Sequence, residues 1–242
     1  MELIDGQHRL YGFVDADDAT KKAFNLVVLG VKGMAVKQKS DAFVAINDNS
    51  RRMDPNLVAY LKYTENDSVC QKDNELMAIR VVVDLNRATP FKKAIKLLDV
   101  GEQKITLKGF SGYDLKGLLG RRGLLRKYCA TNTPEEYVRI LRIYFGTISS
   151  VFKKEWKDTD KYIIATNRGI SAFLKLLKSI LKTEKAAVTQ PKTREYIKAL
   201  KAGSLKWEFE HLKKNYVGSQ GWKDFHRDLV SAIRKKYPTF KK

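Results

Sequence analysis

The chain reads as an α+β protein: a small mixed sheet with helices in residues 1–125, followed by a mainly helical, basic region over 126–242. Three observations predict this class. The chain opens on a strand, a glycine turn and a helix start. Two further apolar runs of strand length follow, at residues 24–31 and 78–85. Beyond Thr133 the apolar residues recur every three or four positions, which is the helical period.

Taken in order, Leu3 and Ile4 read as the end of a buried strand, Asp5-Gly6 as a tight turn, and Leu10, Tyr11 and Phe13 as the apolar side of a helix. A helix start carries unpaired N–H groups and partial positive charge, and glycine permits close approach to the backbone. With Gln7, the titratable His8 and the forked cation Arg9, the turn reads as a phosphate-binding element. An ordinary strand–turn–helix with Asp5 as cap and Arg9 solvated fits the same residues. Asp15, Asp17 and Asp18 read as a solvated acidic turn, not a metal site.

Residues 24–31 suit a strand covered on both faces. Residues 40–46 predict a helix with Ala42, Phe43 and Ile46 inward, broken by the polar run Asn47 to Arg52. A second helix starts at Asp54-Pro55, cap followed by first-turn proline, with Met53 and Val58 spaced for a staple. Residues 64–75 read as a loop, 78–85 as a strand, 90–98 as a short helix and 104–108 as a half-exposed strand. The glycines at 117–123 lack the lysine ending of a P-loop.

Thr133-Pro134-Glu135-Glu136 is a capping box with proline at the first helical position. Tyr137, Leu141, Tyr144, Phe145, Ile148, Val151 and Phe152 form the apolar stripe behind it. A second long helix spans 168–181, with Lys175, Lys178 and Lys182 on its outer side. Further helices are predicted over 195–202 and 222–233, separated by Gly218-Ser219-Gln220-Gly221.

Charge is the most telling bulk property. The net +20 is uneven: residues 1–120 hold 18 Lys and Arg against 16 Asp and Glu, a balance of +2, whereas 121–242 hold 29 against 11, a balance of +18. Such a field attracts polyanions, nucleic acid first, although a lysine-rich solubilising surface has the same composition. Arg121, Arg122, Arg126, Lys127, Lys175, Lys178 and Lys182 are the predicted nucleic-acid contacts. No apolar run approaches a bilayer span and no leader precedes the first motif, so a cytoplasmic protein without a membrane partner is expected. Cys70 and Cys129 read as reduced thiols. The three histidines, His8, His211 and His226, show no zinc spacing. Asp84 with Glu102-Gln103-Lys104 weakly matches a nuclease constellation, and hairpin-entry charges fit it as well.

Asp5-Gly6-Gln7-His8-Arg9 spells the motif of the DGQHR-domain family, which includes DndB-like regulators linked to phosphorothioate DNA modification. Residues 43–53 resemble that family's Phe-x-x-Ile-Asn segment, and 89–95 its Ser-Pro-Phe-x-x-x-Ile segment with Thr in place of Ser. Residues 151–156 and 166–170 are similar to its later helical part, so the resemblance covers nearly the whole chain. It implies a core like that of the ParB and sulfiredoxin superfamily, shortened ahead of the turn. It further implies nucleotide-phosphate contacts from Gly6, Gln7, His8, Arg9, Asn47, Asn49, Arg51 and Arg52. ATP or CTP with Mg²⁺ would be the cofactor and DNA the partner. An NTPase or nucleotide-dependent nuclease using the same turn, with His8 positioning water, is the enzymatic alternative; a ligand-free scaffold is the other. Sulfiredoxin chemistry is not expected, because Gln7 and His8 stand where its cysteine would have to be.

Overall fold

The computed structural model describes residues 6–24, 30–48, 54–65, 73–98, 100–186 and 188–241. The chain is mostly helical, with one pair of very short parallel strands among the described residues. The helices are α1 (Gln7–Tyr11), α2 (Asp18–Ala23), α3 (Val36–Asp48), α4 (Pro55–Glu65), α5 (Asn74–Leu85), α6 (Leu107–Phe110), α7 (Tyr113–Leu119), α8 (Pro134–Val151), α9 (Lys153–Lys157), α10 (Asn167–Glu184), α11 (Gln190–Ala202), α12 (Phe209–Asn215) and α13 (Gly218–Arg234), with a 3₁₀ turn at Arg126–Tyr128. Strands β1 (Ile95–Lys96) and β2 (Ile105–Thr106) pair Ile95 with Ile105 and Lys96 with Thr106. The described sheet is thus parallel, not mixed.

The predicted strand over 78–85 is the largest correction, because it forms the greater part of α5. Leu76, Met77, Ala78, Ile79, Val81, Val82, Val83 and Leu85 are all buried. With only Arg80 and Asp84 partly exposed after Glu75, the run is almost wholly apolar, and periodicity cannot distinguish such a helix from a covered strand. Its start is set by Asp73, whose carboxylate accepts the N–H groups of Glu75 at 2.7 Å and Leu76 at 3.3 Å. Residues 104–108 keep only two strand positions, since Thr106 caps α6 by accepting the Gly109 N–H at 3.0 Å.

The predicted helix over 90–98 is instead a set of turns ending in β1. The Asn86 side chain accepts the Ile95 N–H at 2.9 Å, and its carbonyl accepts the Lys93 N–H at 2.9 Å. This closed loop drives Phe91 into the core against Phe110, Phe145 and Trp156. Residues 218–221, predicted as a separator, form the first turn of α13, and α12 has no counterpart in the sequence reading.

The α4 start is as predicted: Asp54 accepts the N–H groups of Asn56 at 2.8 Å and Leu57 at 3.0 Å. The α8 apolar stripe is likewise buried from Tyr137 to Phe152, with Val151 half-buried. The capping box there differs from expectation. Thr133 makes no side-chain cap bond, and the Glu136 carboxylate reaches further back to the N–H groups of Ala130, Thr131 and Asn132 at 2.9–3.0 Å. The Thr131 N–H and hydroxyl, joined by the N–H groups of Ala130 and Asn132, hold that carboxyl below its usual range.

The core is one continuous cluster running from Ala59 to Phe240. It contains the stacked pair Phe173 and Trp207, with centroids 5.6 Å apart, and Phe152 and Phe225 edge-on to Trp207. By contrast, no described side chain of residues 6–48 is buried. Ile46, predicted inward, is exposed there, as are Leu10 and Tyr11. Asp17 caps α2, accepting both the N–H and the hydroxyl of Thr20 at 2.8 Å. The predicted strand at residues 3–4, most of the one at 24–31, and Met53 of the staple lie outside the described residues.

Candidate nucleic-acid interface

Helix α10 is the frame of the site, and its start is tied down from several sides. Thr166 caps it by accepting the Gly169 N–H at 3.4 Å, while its hydroxyl donates to the Ile163 carbonyl at 2.8 Å. Asn167 links the first turn to β2: its Oδ1 accepts the Thr106 N–H at 2.8 Å and its Nδ2 donates to Thr106 Oγ1 at 3.1 Å. Glycine is required at 169, since a Cβ there would stand 2.1 Å from the Ile163 carbonyl oxygen. Ile170, Phe173, Leu174, Leu177, Ile180 and Leu181 point into the core.

A fixed inner face fixes the outer one. Lys175, Lys178 and Lys182, spaced by three and four residues, fall along one side of α10 and line a cleft of about 500 Å³. Helix α7 forms a second wall through Tyr113, Asp114 and Leu118, and α13 contributes His226. The lining holds three lysines against one aspartate. Asp114 is well tethered: its Oδ2 accepts the Ser171 hydroxyl and stands 4.0 Å from Lys175 Nζ. Tyr113, at the first position of α7, is 89 % exposed. The cleft is therefore a positively charged, solvent-open recess with an aromatic ring beside it.

Of the predicted nucleic-acid contacts, Lys175, Lys178 and Lys182 are brought together here. Arg121 and Arg122 are exposed in the turn directly after α7, on whose residues the cleft is partly built. Arg126 and Lys127 lie on the 3₁₀ turn, half-buried and exposed respectively. Tyr113, Asp114 and His226 were missed as site residues. Only tertiary packing joins the three helices, although Tyr113 among buried leucines and His226 beside Phe225 were signals of helical faces.

Of the predicted phosphate-turn residues, Gly6 has φ +90°, in the region that favours glycine, and Gln7 is exposed at the start of α1. His8 and Arg9 belong to α1 and Asn47 to α3, with their side chains outside the described residues. Asn49, Arg51 and Arg52 also lie outside them. Helix α1 has only five residues, so its dipole is small.

Elsewhere, Asp84 sits on α5 instead of a strand, held by Arg80 at 3.3 Å and Arg87 at 3.0 Å, while Lys104 pairs with Asp160 at 3.3 Å. Burial pushes the Cys129 thiol up to about 11, which keeps it protonated at neutral pH. Among the described residues, no cluster of His, Cys, Asp or Glu has the makings of a metal site, and no helix is long and apolar enough to cross a membrane. Comparison with protein-family models, with curated proteins and with solved structures gave no match to this chain.

Proposed function

We propose that this is a DNA-associated regulatory protein that holds the phosphate backbone on the basic surface formed by α7, α10 and α13. The observation that carries this reading is the alignment of Lys175, Lys178 and Lys182 along one cleft, within the half of the chain that has a balance of +18. A solubilising surface needs lysines anywhere outside, whereas these three converge on a recess with only one carboxylate among them. Ammonium groups that meet phosphates release condensed counterions, so affinity falls with salt. The turn from Gly6 to Arg9 would add a nucleotide-phosphate contact, as the resemblance to DGQHR-type regulators implies; its support is the positive φ of Gly6 and the sequence pattern.

A salt titration of DNA affinity tests this directly. A log–log slope of about −2.1 on a single strand, or about −2.7 on duplex, or steeper, is expected from three lysine–phosphate contacts alone. A shallow slope, or no binding at low salt, would leave the charge as solubilising only. Calorimetry with ATP and CTP in the presence of Mg²⁺, on wild type and Arg9→Ala, examines the turn separately. Binding lost in Arg9→Ala supports the nucleotide contact, and turnover lost with it would make the protein an NTPase.

A further inference from the structure

The three lysines alone would accept any phosphate, but two other side chains narrow the ligand. Tyr113 leaves its ring almost wholly in solvent, while Leu115, Leu118 and Leu119 of the same helix are buried. No packing demand of this helix explains an aromatic there. Asp114 directs Oδ2 at the Ser171 hydroxyl and Lys175, so its carboxylate is held in place with acceptor capacity left on Oδ1. A carboxylate in a positive recess repels a bare phosphate and accepts from N–H donors.

An aromatic face, a fixed acceptor and an ammonium row match the three parts of a nucleotide: the flat base, its N–H edge and its phosphate. The volume of about 500 Å³ lies within the range of roughly 300–1,000 Å³ that small-molecule sites occupy. It admits one nucleotide and not a duplex. A base inside a duplex is stacked on both faces and paired along its edge, so it cannot offer either to Tyr113 or Asp114.

We infer that the cleft is a subsite for a single unpaired nucleotide of a DNA strand, its base stacked on Tyr113, its amino or imino N–H on Asp114, and its phosphates along Lys175, Lys178 and Lys182. This rests on the DNA-binding reading above. It predicts a preference for single strands, strand ends or opened duplex over closed duplex.

The test is fluorescence anisotropy at one fixed salt concentration, with a short labelled single strand and the corresponding duplex, on wild type, Tyr113→Ala and Tyr113→Phe. Thermal unfolding of each variant should match wild type, because the ring is exposed. The expected result is tighter binding of the single strand by wild type. Tyr113→Ala should weaken that binding about tenfold, the scale of one base–aromatic stack, with duplex binding unchanged and Tyr113→Phe close to wild type. A free deoxynucleoside monophosphate that displaces the strand from wild type, with lower potency against Tyr113→Ala, supports the same subsite. If it matches the strand in affinity, the natural ligand is the free nucleotide. Tyr113→Ala that holds the single strand as tightly as wild type, or that weakens strand and duplex equally, overturns the inference and leaves the DNA reading standing. Wild type that binds neither overturns both.

Discussion

Residues 6–48 and residues 74–240 obey different physics. The second region buries a continuous set of aliphatic and aromatic side chains, with Phe152, Phe173 and Phe225 all packed on Trp207. The first has helices α1, α2 and α3, yet no buried side chain among its described residues, and Tyr11 is 67 % exposed. Short helices in water are marginal without packing, since each must recover the entropy of ordering. The comparison teaches that a sequence motif and a packed site can lie in different parts of one chain. The motif residues Gly6 and Gln7 fall in the sparsely packed region, and the cleft is built on the densely packed one.

Stability measurements can break or sharpen this contrast. The largest effect is expected at Phe173, which is fully buried and stacked on Trp207. Phe173→Ala should cost about 3–5 kcal/mol in chemical unfolding. Next comes Asn167→Ala, which leaves the Thr106 N–H without its side-chain acceptor and loosens the start of α10. A loss of about 1–3 kcal/mol is expected, and weaker DNA binding with it if the cleft depends on that anchor.

A smaller effect concerns pH. The Glu136 carboxyl has its folded value below the ordinary 4.5, through the N–H and hydroxyl of Thr131 and the N–H groups of Ala130 and Asn132. Its stabilisation is therefore fully present above that ordinary value and is lost as pH falls through the lower folded one. Thermal unfolding followed across that acid range should show the decline, and Glu136→Gln should remove this part of it. The smallest effect belongs to Tyr11→Ala in the sparse region, within about 0.5 kcal/mol. A loss at Tyr11 comparable to that at Phe173 would mean that the first region has a packed core after all.

Much of the helical half was legible because amphipathic helices advertise themselves. The α8 stripe repeats at three and four residues, and the spacing of Lys175, Lys178 and Lys182 already put them on one side of a helix. Helix α5 was not legible as a helix, because burial of eight of its twelve residues leaves too few polar positions to mark the helical period. The loop around Phe91 was missed since its shape depends on the Asn86 side chain accepting the Ile95 N–H nine residues on. The lysines of the site were readable as a row. Their company was not: Tyr113, Asp114 and His226 come from two other helices, and their meeting is a product of tertiary packing alone.

The central claim is that DNA affinity resides in the arrangement of charge around the cleft and not in its total. The direct measurement compares salt-dependent DNA binding by two triple variants of equal charge change, Lys175, Lys178 and Lys182 to Gln against Lys21, Lys22 and Lys37 to Gln in the sparse region. The account predicts that the cleft variant lowers the salt slope by about 2.1 on a single strand and weakens binding, with the second variant close to wild type. Equal losses in both variants, or a cleft variant that binds like wild type, would contradict it.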